Sequence, residues 1–106
     1  MSQKAVFFDR DGVINIDNGY IYRKEEFYFV DGIFEILKHF IVNGYLIFII
    51  TNQSGIARGF FSEEDFIRLN DWMLKQFVSH GIIISNVYYC PFHPTEGNGK
   101  YRIDSF

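Results

Sequence analysis

Two short polar stretches carry the residue types in this chain that could do chemistry. The first is Asp9-Arg10-Asp11-Gly12. Two carboxylates one residue apart repel each other unless a cation sits between them, and hard oxygen donors favour magnesium. The glycine lets the backbone turn sharply and come close to a ligand. The second stretch is Thr51-Asn52-Gln53-Ser54-Gly55. Two hydroxyls and two amides make a neutral set of donors suited to the oxygens of a phosphate. Taken singly, each stretch also reads as an ordinary loop: the first as an acidic surface turn, the second as a polar connection.

The elements around them give the pair its meaning. Ala5-Val6-Phe7-Phe8 is a short apolar run of β-branched and aromatic residues, the composition of a buried strand that delivers Asp9 and Asp11 at its carboxyl end. Tyr45 to Ile50 is apolar without alternation, which predicts a parallel strand buried on both faces and ending at Thr51. Between them Asp31 can cap a helix whose Ile33, Ile36, Leu37, Phe40 and Ile41 share one face, and Asn43-Gly44 ends it. A right-handed β-α-β crossover puts both strand ends on one edge of the sheet, where ligands of open α/β sheets bind. Asp9, Asp11 and Thr51 are therefore expected to converge.

Ile16 to Phe29 is turn-prone and rich in aromatics, and reads as a small flap over that mouth, or as a hairpin that merely covers the sheet end. Ser62 with Asp65 opens a further helix in the manner of a capping box. Phe66, Leu69, Met73 and Phe77 form its core stripe, Ile67 and Leu74 widen it, and His80-Gly81 closes it. Ile82-Ile83-Ile84 and Val87-Tyr88-Tyr89 predict a third strand, bent at Ser85-Asn86.

A chain of 106 residues holds one domain, residues 1–106. Its apolar fraction of 48% excludes a disordered chain. A net charge of −3 without a Lys/Arg run argues against nucleic acid or an anionic membrane as partner. No apolar run approaches the roughly 20 residues that cross a bilayer, and the amino terminus has no signal-peptide pattern. A single cysteine suits a reducing compartment, so a cytoplasmic location is expected. Nothing in the sequence sets an oligomeric state.

Phe8 to Asn15 resembles the first motif of the haloacid dehalogenase superfamily, and Thr51 its second. Asp17-Asn18-Gly19-Tyr20, Thr51 to Gly59 and Tyr88-Tyr89-Cys90-Pro91 narrow the resemblance to the branch of heptose bisphosphate and histidinol phosphate phosphatases. The fold this implies is α/β, a Rossmann-like parallel sheet that is incomplete here, with a small flap after the first strand and no large cap domain. The implied reaction is magnesium-dependent hydrolysis of a sugar phosphate through an aspartyl-phosphate. By the resemblance, Asp9 is the nucleophile, Asp11 the general acid and base, and Thr51 holds the phosphoryl group. Asp9 and Asp11 hold the metal, Asp11 in part through its main-chain carbonyl. Arg10, Gly12, Asp17, Asn18, Gly19, Tyr20, Asn52, Gln53 and Ser54 contact substrate, while Arg10 and Arg58 read equally as charge partners or surface cations.

Three departures from the family pattern stand out. The Lys of its third motif and a later metal-binding Asp have no counterpart, since Lys100 and Arg102 lie in the wrong context. Three strands are also too few for the family's sheet and leave the first as an open edge. The chain is thus expected to be the amino-terminal part of a longer protein, or a truncated product with negligible turnover of its own. Finally, zinc-binding relatives carry Cys-Pro-His-His-Pro and a later Cys-x-Cys. Here Phe92 replaces the first His and Ser105-Phe106 stand where that pair would begin, which argues against a structural zinc on Cys90 and His93.

Overall fold

The run from Lys4 to Asp9 forms β1, Tyr45–Asn52 forms β2 and Asn86–Cys90 forms β3, in a parallel sheet of order β1-β2-β3. The computed structural model describes residues 3–91. Asp9 pairs in register with Ile50, and the Arg10 amide continues the ladder onto the Ile50 carbonyl at 3.0 Å. Asn52 pairs with Cys90 on the other side of β2. All three strands consequently end at one edge of the sheet. Among the described residues β1 is an edge strand, as expected.

Helix α1, Ile33–Val42, joins β1 to β2, and α3, Glu63–Ser79, joins β2 to β3. Ile33, Leu37, Leu69, Met73 and Phe77 are buried with Ile47 and Ile49 in one core. Both helices therefore cover the same face of the sheet. The capping box at Ser62 forms with both of its bonds, Asp65 N to Ser62 Oγ and Ser62 N to Asp65 Oδ2, each 3.0 Å.

Several local expectations are corrected. Strands β1 and β2 are buried on one face only: Phe7, Leu46 and Ile50 are exposed, and Phe7, Phe48 and Tyr88 stack across the other face. Period-two alternation sends every second side chain there, and no described helix packs on it. Residues 82–84 are not a strand. Ile82 instead plugs the core, its amide bonded to the Phe77 carbonyl at 2.9 Å, and bonding to β2 begins at Ser85, whose amide donates to the Ile47 carbonyl at 2.8 Å. Gly32 at φ 82°, not Asp31, stands at the start of α1, with no side-chain cap. Ile36 and Ile67 face solvent, because each lies outside the stripe that meets the sheet.

The flap is closed at its stem by Ile16 N to Tyr28 O at 2.8 Å and Val30 N to Ile14 O at 2.9 Å, around a short 3-10 turn at Lys24–Glu26. Its aromatic side chains anchor it to the rest. Phe27 packs against Trp72, and Tyr22 stacks on Phe61. Among the described residues no helix is long and apolar enough to cross a membrane.

Candidate active site

The carboxyl ends of β1 and β2 open onto a cavity of about 540 Å³. It is lined by Asp9, Arg10 and Asp11 from the first loop, Thr51, Asn52 and Gln53 from the second, and Asp17, Gly19 and Tyr20 from the flap. Ile21 and Ile50 complete the wall, and neither was singled out from sequence. Gly12, Asn18 and Ser54 do not line it; Gly12 turns the chain at φ 93°, and Ser54 begins the short helix α2, Ser54–Ala57. A shallower neighbouring cavity brings Asp9, Thr51 and Cys90 together.

Asp9 is exposed at the mouth, and no described side chain donates to its carboxylate. Asp11 is held differently. Its Oδ1 accepts from Arg10 Nε at 3.2 Å, Arg10 Nη2 at 2.9 Å and Asn15 Nδ2 at 3.1 Å. A carboxylate oxygen offers about two lone-pair positions, so Oδ1 is filled and Oδ2 is left for a ligand. Arg10 itself is 1% exposed, with its guanidinium 5.7 Å from the Phe27 ring and 5.9 Å from the Phe66 ring. Its head thus faces the interior and Asp11, which makes it a charge partner of that acid. Arg58 sits apart from the cavity wall, donating from Nη1 to the Tyr20 hydroxyl and lying over the Phe60 ring.

In the second loop Gln53 Nε2 donates to Thr51 Oγ1 at 2.6 Å, and both side chains are buried. With its oxygen engaged as acceptor, the Thr51 hydroxyl keeps its own hydrogen to donate. The Gln53 amide bonds the Cys90 carbonyl at 2.7 Å, so β3 steadies this loop. Sequence reasoning assigned no role to Asn15. A polar side chain at the end of Gly12-Val13-Ile14 was the available signal, since a buried amide there needs a partner.

The donor set suits a hard divalent cation. Magnesium is commonly held by one or two carboxylates together with substrate phosphates and water, and the exposed, unengaged carboxylate of Asp9 meets that need. Among the described residues no group of three metal-ligating side chains is assembled. Of the positions weighed for zinc, Cys90 ends β3, while Phe92, His93, Ser105 and Phe106, like Lys100 and Arg102, lie outside the described residues.

No family model matches the chain. It is 50% identical over 105 residues to the D-glycero-alpha-D-manno-heptose-1,7-bisphosphate 7-phosphatase of Burkholderia mallei, with 99% of this chain and 56% of that protein covered. The chain thus spans about half the length of the curated relatives it matches. Among solved structures, a HAD-like phosphatase from Mesorhizobium loti superposes with a TM-score of 0.83 at 30% identity, covering 91% of this chain and 46% of that one. The D,D-heptose 1,7-bisphosphate phosphatase of B. bronchiseptica, complexed with magnesium and phosphate, superposes with a TM-score of 0.79 at 27% identity, covering 90% and 54%. In sequence over most of its length and in its parallel-sheet fold, the chain is thus similar to haloacid dehalogenase-like phosphatases.

Proposed function

We propose that this chain carries the nucleophile site of a magnesium-dependent phosphatase acting on D-glycero-D-manno-heptose 1,7-bisphosphate in the cytoplasm. The observation that supports it best is the meeting of Asp9, Asp11 and Thr51 on one cavity wall, reached from two different strands. Asp9, whose carboxylate is exposed and unengaged by described side chains, is the nucleophile. Its oxygen attacks phosphorus while the bond from phosphorus to the sugar oxygen breaks, which leaves an aspartyl-phosphate. Asp11 gives the departing oxygen a proton from Oδ2 and later takes one from the water that displaces Asp9.

Thr51 donates its hydroxyl hydrogen to a phosphoryl oxygen, and Asn52 and Gln53 add neutral groups beside it. The cavity-lining flap residues Asp17, Gly19 and Tyr20 complete the substrate contacts. Magnesium held by Asp9 and Asp11 would neutralise the phosphate's charge, so that one anion can approach another. The relatives named for heptose bisphosphates favour that substrate over histidinol phosphate.

The test is phosphate release by the full-length protein from both anomers of the heptose bisphosphate, from histidinol phosphate and from a 3′-phosphorylated oligonucleotide. Each is run with magnesium and with a chelator. Release from the heptose compound alone, lost on chelation, is expected. A preference for histidinol phosphate or for the oligonucleotide would overturn the substrate assignment, and turnover indifferent to chelation would overturn the metal.

A further inference from the structure

A buried arginine beside an acid at the mouth has no reason to be there for packing alone, since an apolar side chain would fill the same space at lower desolvation cost. Arg10 reaches Asp11 from the next position in the chain, and both contacts, from Nε and Nη2, go to the same oxygen, Oδ1. Asn15 adds a third donor to that oxygen and a second bond, from Nδ2 to the Ile16 carbonyl at 3.1 Å. In doing so it leaves its own buried Oδ1 without a partner among the described residues. A buried acceptor left without a partner is destabilising. The amide is therefore turned to suit Asp11 and not itself.

The cation is in turn held by rings from two separate elements, Phe27 from the flap and Phe66 from α3. Phe27 belongs to the flap, so the cation that holds Asp11 rests in part against the flap.

We infer that Arg10 is the positioning residue of Asp11: with Asn15 it occupies Oδ1, fixes the plane of the carboxylate, and leaves Oδ2 as the oxygen that exchanges a proton with the leaving group. The inference rests on the phosphatase reading for its catalytic part, while the pairing itself is independent of that reading. Arg10 touches no substrate in this scheme, because its head lies on the core side of the acid.

The experiment compares Arg10→Met, Arg10→Lys, Asp11→Asn and the double variant Arg10→Met with Asp11→Asn, in the full-length protein with magnesium and the heptose bisphosphate. Misplacing a reacting group by about an ångström lowers rates by roughly 100-fold. Arg10→Met is expected to lower kcat by about that factor with KM held within about threefold, and Arg10→Lys, which keeps one donor, to recover part of the loss. In the Asp11→Asn background Arg10→Met should change the residual rate no further. A rise in KM equal to the fall in kcat, or a full effect of Arg10→Met without Asp11, would overturn the inference.

Thermal unfolding of the same set with Asp11→Ala provides a reading that does not depend on turnover. Asp11→Ala strands a buried cation and should lower Tm, and adding Arg10→Met should restore much of the loss. Additive Tm changes would overturn the pairing. If the wild-type protein releases no phosphate from any compound, the phosphatase reading falls and this cycle alone decides the inference.

Discussion

Gly55 lies in the first turn after the threonine loop, and its missing side chain is where two aromatic rings meet. A Cβ there would stand 2.5 Å from Phe61 Cε1 and 2.8 Å from Tyr20 Cδ1, distances that real Cβ atoms do not tolerate. Phe61 cannot retreat, being 7% exposed and stacked on Tyr22 at 5.5 Å. Tyr20 can swing outward, but it is stacked on Phe60 at 4.6 Å and bonded to Arg58, so it would carry the flap with it. Overpacking of this kind destabilises by roughly 1–3 kcal/mol, and with one ring immovable the upper end applies. Replacing a helical glycine by alanine returns about 1 kcal/mol. Gly55→Ala should therefore lose about 2 kcal/mol net, a Tm drop of roughly 8–16 °C for a domain of this size.

Two assays read that prediction. Differential scanning calorimetry gives the stability loss, and adding Phe61→Leu, which removes the nearest ring edge, should cost less in the Gly55→Ala background than in the wild type. Steady-state kinetics with the heptose bisphosphate should show a rise in KM, because Tyr20 lines the cavity and moves with the flap. A Gly55→Ala protein as stable as the wild type, with unchanged KM, would refute the steric reasoning.

Ser62→Ala removes the acceptor for the Asp65 amide and should lower stability by about 1 kcal/mol, measured by denaturant unfolding at neutral pH. The backbone bond from Ser62, joined by the Ser62 hydroxyl and Arg68, holds the Asp65 carboxyl below the usual aspartate range. Its stabilising contribution is thus complete above the unfolded aspartate pKa and is lost as pH falls through the lower folded value. Asp65→Asn should flatten the acid limb of the stability profile in that window; an unchanged limb would refute the assignment.

The order strand, helix, strand was legible because Ala5 to Phe8 and Tyr45 to Ile50 are apolar runs ended by polar loops, and because Ile33, Leu37 and Phe40 keep helical spacing. Parallel pairing then brought Asp9 and Thr51 to one edge, as the crossover rule requires. The sequence left Arg10 open between a charge partner and a surface cation, and the structure makes it the partner of Asp11. The rings beside its buried head, Phe27 and Phe66, lie far along the chain and could not be read from the local sequence. Ile82 to Ile84 have every local mark of a strand, but Ile82 bonds back to Phe77 in α3 and serves as a core plug, and the first bond to β2 comes from Ser85. The apolar run of β2 suggested burial on both faces, yet the described helices cover one, leaving Phe7, Ile50 and Tyr88 exposed. Periodicity reports which side chains avoid water and is silent on what covers them.

The account stands or falls on whether Asp9 takes the phosphoryl group. In a single turnover with magnesium and the heptose bisphosphate, quenched in acid and reduced with borohydride, an aspartyl-phosphate leaves a mass change on the peptide that carries it. The change is predicted on the peptide containing Asp9, and is predicted to vanish in Asp9→Asn together with phosphate release. Phosphate release that persists in Asp9→Asn, or a mass change on a different peptide, would contradict the account.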